Sequence, residues 1–410
     1  MLNFADRPYQ YYPPRPNWLV QRLGRRFNRT RFLPSDQHRI ESVSVVNPEV
    51  LREIRRKRLL LLPNHSTHSD PQIMIEVLRQ VRIRSFFMAA YDVFERNALH
   101  AWVMQRMGAF SVDRDGNDRH SLKQAIATLE SGKYALTIFP EGNVLLMNDR
   151  VTPFLDGPAF IAIKAQQQLG NDVPVLALPV AIKATNVSDS RQVIRTRLLE
   201  MAEALGVELA ADETILNAVY QVGLAMLRRN LRQRGFMPPD ADWRDLPGVI
   251  SAAAGLVIKG LEAKMELTAR VDADLVDRIR AIRREVHRIR TDPALEIDHP
   301  VAASWADEAM MAFRILSYAG NYLAEHPTLD RCGETIEKLR EDLYGRMYPA
   351  YANRAVLVRF GEPIDVSAKM TDGSKPRERI ADLTDVFEQS VQAEMDRLNA
   401  NNSYPGAEMF

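Results

Sequence analysis

The chain has 410 residues, 46% of them hydrophobic and 26% charged, with 19 Gly and 23 Pro. At roughly 150 residues per domain this makes two or three domains with ample core, and the composition excludes a collagenous, low-complexity or globally disordered chain. Lys plus Arg (54) nearly cancels Asp plus Glu (53), which excludes nucleic-acid binding by bulk charge; the single cysteine, Cys332, excludes an internal disulfide or a cysteine-rich zinc site and points to a reducing compartment. No run reaches the 18 or so consecutive apolar residues of a bilayer span, and residues 1–16 lack the continuous apolar stretch of a signal peptide, so the expected location is cytoplasmic.

Charge is unevenly placed. Residues 1–34 hold Arg7, Arg15, Arg22, Arg25, Arg26, Arg29 and Arg31 against Asp6 alone, a local net of +6. Tyr9, Tyr11, Tyr12, Trp18, Leu19, Leu23 and Phe27 are interleaved with them. Asn17, just after Pro16, suits a helix cap, and Trp18, Leu19, Leu23 and Phe27 share one broad helical face. A basic amphipathic helix with aromatic residues suits the headgroup layer of an anionic membrane, so residues 1–40 are expected to hold the protein peripherally on a cytoplasmic membrane face. The alternative is a helix packed on its own domain with a solvated basic face.

Residues 41–183 alternate strand-like and helix-like stretches. Strands are expected at 58–62, 85–90, 109–112, 134–139 and 174–182, and helices at 71–81, 93–107, 119–131 and 158–169. This grammar predicts an α/β domain with a mixed sheet and flanking helices, its site loops at the strand ends. Residues 184–350 read instead as long helices at 191–205, 213–234, 246–267, 273–290, 306–326 and 332–344, with a loop at 233–248. Strand grammar returns at 355–359, ended by Phe360-Gly361-Glu362-Pro363. A helix at 378–399 and a frayed tail to Phe410 close the chain. The economical architecture is one α/β domain carrying a large α-helical insertion, with residues 351–410 returning a strand and a C-terminal helix to it. The insertion suits a lid over an apolar groove, a second membrane face, a dimer interface or a plain bundle. Its run of Arg278, Arg280, Arg283, Arg284, Arg288 and Arg290 reads as a solvated face, because Asp277 and Glu285 are interspersed.

Chemistry concentrates at Pro63-Asn64-His65-Ser66-Thr67-His68-Ser69-Asp70, between a strand and a helix. Imidazole is the side chain suited to take a proton near neutrality, and a carboxylate on its second nitrogen fixes the tautomer and stabilises the imidazolium. On a regular helix two residues five apart point about 140° apart, so the pair meets only if His65 lies in the turn and Asp70 at the helix start, which Pro71 favours. Asp70 reads alternatively as an ordinary N-cap, His68 as the competing base, and His65, His68 and Asp70 as a metal cluster, although that spacing lacks the ligands of a hydrolytic metal site.

Three further segments follow in order: Gly108-Ala109-Phe110-Ser111-Val112-Asp113-Arg114, then Phe139-Pro140-Glu141-Gly142, then Val175-Leu176-Ala177-Leu178-Pro179-Val180. With Asn64-His65 and Asp70 they resemble the four sequence blocks of the glycerolipid acyltransferases, the lysophosphatidate acyltransferase family. The resemblance covers roughly residues 40–185, with a return at 356–366. It implies that His65 deprotonates a glycerol hydroxyl as it attacks an acyl thioester, and that Asp70 orients His65. It further implies that Arg114 binds the acceptor phosphate, that Glu141 and Gly142 shape the acceptor site with Asn64 and Gly108 nearby, and that Pro179 lies beside the acyl chain. No metal or organic cofactor is implied beyond acyl-CoA or acyl carrier protein as co-substrate, and the acceptor would be a lysophospholipid, most simply 1-acylglycerol 3-phosphate.

Physical readings stand beside these. Arg114 offers a fork for phosphate or a salt bridge to Asp113 or Asp115. Gly142 permits a tight turn that aims N–H groups at an anion. Pro179 marks an edge strand or bulge. Where the family commonly continues its third block with threonine, arginine and serine, this chain has Asn143-Val144-Leu145; Arg150 is a distant substitute or an ordinary loop charge. A different acceptor, such as glycerol 3-phosphate or another lyso-lipid, and a non-catalytic lipid-binding protein remain as alternatives. Cys332 has only Arg331 as a basic neighbour, which argues against a nucleophilic thiol.

Overall fold

A computed structural model describes residues 9–116, 118–170, 172–238, 242–270, 273–292, 294–295, 299–370 and 375–410. Asp6 and Arg7 of the basic segment, and Pro239 of the loop at 233–248, lie outside the described residues. Eight strands, β1 (Ile40–Val45), β2 (Arg58–Pro63), β3 (Ser85–Ala90), β4 (Ala109–Val112), β5 (Ala135–Thr137), β6 (Val175–Asn186), β7 (Arg354–Phe360) and β8 (Ile364–Asp365), form one sheet. Its order is β1-β7-β6-β2-β5-β3-β4, with β8 also beside β6. Pairing is parallel except where β6 meets β7 and β8, so the sheet is mixed.

The leucine run of β2 shows why the sheet sits at the centre of the domain. Leu60 and Leu62 enter one core with Phe110, Leu136 and Phe387; Leu59 and Leu61 enter the other with Ile73, Met74 and Val77. A strand buried on both faces needs no polar alternation, which explains an uninterrupted apolar run. Helices Arg119–Ser131, Gly157–Leu169 and Pro376–Ala400 cover the first face, and helix Asp70–Gln80 the second.

Several expectations need correction. Strand β1 was not expected: only Val43 and Val45 show a period of two, the register shifts between Ile40 and Ser42, and its partner, β7, is more than 300 residues away in the chain. The helix expected at 93–107 breaks at Asn97, whose side chain accepts from the His100 N–H at 2.8 Å and caps a new helix, Ala98–Met107. The helix expected at 306–326 ends at Leu316 because the chain turns at Gly320, where φ is +75°. The tail is not frayed: Thr328 pairs with Met409, and the Phe410 N–H donates to the Pro327 carbonyl at 2.9 Å. The Ser111 N–H donates to the Tyr12 carbonyl at 3.1 Å and the Tyr12 N–H to the Ser111 hydroxyl at 2.8 Å, so the aromatic stretch before the first helix covers the open edge of β4 rather than facing outward.

The helical insertion packs as two groups. Ile194, Met201, Val222, Cys332 and Ile336 centre the first; Ala253, Val257, Ile282, Val286 and Ala309 centre the second. Among the described residues one helix, Leu246–Lys264, is long and apolar enough to cross a bilayer, and it buries Val249, Ala253, Val257, Ile258 and Leu261 in the second group. Helix Leu275–Thr291 is not a simple solvated face, since Arg283 and His287 are buried against the loop after β4.

Candidate active site

The loops that follow β2, β4 and β5 leave the same end of the parallel strands, where sites of such sheets form. The loop after β2 brings His65 and Asp70 together: His65 Nδ1 lies 3.0 Å from Asp70 Oδ2. Asp70 is wholly buried. It begins its helix with Ser69 as the capping position, so it is not the N-cap. Its carboxylate instead accepts from the Thr67 N–H at 2.8 Å and the Thr67 hydroxyl at 2.6 Å. Three donors on one carboxylate fix its orientation, and with it the imidazole. The His65 ring rests on Phe139 with centroids 4.3 Å apart. The His65 side chain is 16% exposed, and its Nε2 has no hydrogen-bond partner among the described residues.

His68 turns elsewhere. Its Nε2 meets Glu341 of the insertion at 3.0 Å, so it does not compete for Asp70. Among the described residues no group of three His, Cys, Asp or Glu side chains is arranged to hold a metal ion. Cys332 is buried, and burial pushes its thiol up to about 12, which keeps it protonated.

Glu141 fastens the histidine loop to the loop after β5. Its Oε1 accepts from the His65 backbone N–H at 2.6 Å; its Oε2 accepts from the Thr152 N–H at 3.1 Å and from the Thr152 hydroxyl. Burial pushes this carboxyl up to about 7 against the lowering effect of those hydrogen bonds. Gly142 has φ +71°, a left-handed conformation that favours glycine, and a Cβ there would stand 2.6 Å from Leu155 Cδ1. The expected anion-facing N–H is corrected: the Gly142 N–H closes a turn onto the Phe139 carbonyl at 3.1 Å. Its carbonyl oxygen faces the site and accepts from Arg114 Nη1 at 2.7 Å.

Arg114 is neither free nor paired with its neighbours in sequence. Nη1 also donates to Asn143 Oδ1 at 3.0 Å, and Nη2 stands 3.7 Å from Asp92. Nε and Nη2 make no hydrogen bond among the described residues, so donors remain for an anion. Asp113 and Asp115 are occupied by His287 at 2.8 Å and Arg283 at 3.0 Å. His65 and Arg114 are therefore linked through the Glu141-Gly142 dipeptide by two hydrogen bonds.

The other expected residues act on the backbone. Both polar atoms of the Asn64 amide bond the Ile182 backbone, at 2.7 and 3.1 Å, holding the histidine loop onto β6. Gly108 is the left-handed end of helix Ala98–Met107, with φ +102°. Pro179 is buried in an internal strand, not at an edge; it lies where β6 changes partner from β8 to β7, so its missing N–H breaks no ladder. Arg150 pairs with Glu325 and Asn321 of the insertion and is not a site cation.

Thr67, Phe139, Asn143 and Thr152 were not singled out, though Thr67, three residues before Asp70, is a local signal. The insertion braces all three loops. Besides the contacts of His68, Asp113 and Asp115, Glu334 accepts from the Asn148 N–H at 3.2 Å, and Arg331 meets Asp149 at 2.8 Å. Lys183 at the end of β6 bonds Asp149 and lies 3.4 Å from Asp330, its charge held by these carboxylates.

Residues 42–183 match the family model described as Acyltransferase. No curated protein matches the chain. The α/β unit that carries the four blocks is an acyltransferase domain, which supports its resemblance to the glycerolipid acyltransferases.

Proposed function

We propose that this acyltransferase moves a fatty acyl group from a thioester, acyl-CoA or acyl carrier protein, to a hydroxyl of a glycerophospholipid precursor. The simplest acceptor is 1-acylglycerol 3-phosphate. The observation that carries the reading is the unpartnered Nε2 of a histidine whose Nδ1 is 3.0 Å from a fully buried, thrice-bonded aspartate. Nε2 takes the hydroxyl proton as the oxygen attacks the thioester carbon. The tetrahedral intermediate then expels the thiolate, which recovers the proton from His65. Asp70 keeps the second ring proton on Nδ1 and faces the imidazolium between the two steps. General-base help of this kind contributes about 10²–10⁴-fold, and positioning supplies much of the rest. Arg114, whose Nε and Nη2 make no hydrogen bond among the described residues, is the cation for the acceptor phosphate.

A membrane surface is the place of action in this reading. Asn17 caps helix Trp18–Phe27 by accepting from the Leu19 and Val20 N–H groups at 3.1 Å. The helix packs through Gly24, where a Cβ would stand 2.6 Å from Met107 Sδ. Trp18 (72% exposed), Leu19, Leu23 and Phe27 (59% exposed) therefore face outward with Arg22 and Arg26. This is the reverse of a helix that buries its apolar face on its own domain. Exposed Leu99 and Trp102 of the adjoining helix Ala98–Met107 enlarge the apolar surface.

The test is thiol release from acyl-CoA by the full chain with and without a panel of phosphorylated and phosphate-free acceptors. Release should require an acceptor and cease in His65→Ala. Arg114→Ala should raise KM for phosphorylated acceptors about 10–100-fold, the value of one or two charge-assisted hydrogen bonds, while leaving phosphate-free acceptors unchanged. Full turnover by a folded His65→Ala protein would remove His65 from the chemistry.

A further inference from the structure

The two apolar groups of the insertion do not fill the space between them. A cavity of about 160 Å³ lies at their seam, bounded by Val219 and Leu339 of the first group and by Ile250 and Ile315 of the second. Protein interiors are otherwise close-packed, and a mainly apolar cavity of this size admits a group of about six carbons. Polar side chains on the wall satisfy one another or the backbone: Arg234 meets Asp307 at 2.6 Å, the Tyr318 hydroxyl donates to Asp342 at 2.6 Å, and Lys338 donates to the Ser317 carbonyl. What remains open to a ligand is mostly apolar surface.

The cavity is tied to the active site through one residue. Leu146, five positions after Glu141, lines both this cavity and a small polar pocket walled by Ser66 and Thr67, the residues that follow His65. Leu146 is held at φ +50°, a left-handed conformation that a leucine seldom adopts and that surrounding structure must enforce. We propose that the seam cavity receives the methyl end of the alkyl tail of the acyl group being transferred, about its last six carbons, with the rest of the chain directed past Leu146 to the histidine loop. The proposal rests on the acyl-transfer reading above and assigns the helical insertion a part in substrate binding.

Gly223, on helix Ile215–Arg234, allows the cavity to be filled without disturbing its walls. A Cβ there meets only Leu339 Cδ2, at 3.8 Å, within 4 Å, and replacing a glycine inside a helix favours the helix. The experiment measures binding of cis-parinaric acid, whose alkyl chain is itself the fluorophore, to the full chain and to Gly223→Ala, Gly223→Leu, Ile315→Trp and His65→Ala, with thermal melting as the control for folding. Wild type and His65→Ala should bind saturably and release the probe to palmitate. Gly223→Leu and Ile315→Trp should weaken binding about tenfold or more, with Gly223→Ala between. In turnover, Gly223→Leu should lose kcat/KM for long-chain thioesters and keep it for butyryl thioesters. Unchanged probe binding and chain-length preference in folded Gly223→Leu and Ile315→Trp overturn the proposal. If His65→Ala turns over normally while the filled variants still lose the probe, the catalytic reading fails and the apolar site stands.

Discussion

Substituting Asp70 by asparagine separates the geometry of the pair from its charge. The carboxylate accepts from His65 Nδ1 and the Thr67 N–H on one oxygen, and from the Thr67 hydroxyl on the other. An asparagine oxygen in the first position preserves two of these bonds, and its amide group faces a hydroxyl that is free to rotate and accept. The tautomer is kept; the negative charge opposite the imidazolium is lost. With charge centres about 4 Å apart and an effective dielectric of about 20, that attraction is about 4 kcal/mol, of which the remaining neutral hydrogen bond retains about 1. The expected loss is therefore about 3 kcal/mol, roughly 10²-fold in kcat, with KM nearly unchanged. Asp70→Ala should in addition leave two buried Thr67 donors unpaired, lowering stability by about 1–3 kcal/mol for each. Steady-state thiol release and urea denaturation measure the two effects. The double variant with His65→Ala should be no slower than His65→Ala alone, because groups that act as a unit are not additive. An Asp70→Asn enzyme within threefold of wild type, or strictly multiplicative losses in the double variant, would refute the coupling.

Glu141 should make stability depend on pH. Its folded pKa is raised from the ordinary 4.5 to about 7, so its stabilising contribution is complete below about pH 4.5 and is lost as pH rises through 7; a rise of that size corresponds to about 3 kcal/mol. Glu141→Gln removes this slope, so chemical denaturation at pH 5 and pH 8 should show the gap between wild type and variant changing by that order; parallel slopes would refute it. Lys183→Met leaves Asp149 and Asp330 facing each other without their shared cation, and should cost about 3–5 kcal/mol, read as a lowered urea midpoint. A loss under 1 kcal/mol would show that Arg331 alone suffices. Trp18→Ser and Phe27→Ser touch exposed side chains only, so folding should be unchanged while partition onto anionic vesicles falls about tenfold for each. Equal sedimentation of all three proteins with such vesicles would exclude this helix as the contact.

Much of the α/β frame is legible because its signals are local. The unbroken leucines of β2 announce a doubly buried strand, and Pro71 announces a helix start five residues after a turn, which is the spacing His65 and Asp70 need. Strands β3 and β4 and helices Arg119–Ser131 and Arg191–Leu205 follow the expected boundaries, and the two helices end at Gly132 and Gly206, both at positive φ. Asn97 shows the limit of this reading. A cap inside an otherwise helical pattern counts only if the chain bends there, and periodicity alone passes over it.

The sequence by itself therefore determined most strands and helices of the acyltransferase domain, β1 excepted, and the four blocks of its family resemblance. It also marked the long helical stretch as a separate texture. Only the tertiary structure decided the partners. Glu141 turned out to hold the His65 N–H, Asn64 to hold β6, and Asp113 and Asp115 to be taken by His287 and Arg283, leaving Arg114 to the Gly142 carbonyl. Strand β1 likewise waited for a partner from the far end of the chain. The physical reason is common to all of these. Caps, turns and apolar periods act over a few residues and leave a pattern in the sequence, whereas the pairing of a buried charge or an unmatched strand edge is settled by whichever group the completed fold brings near.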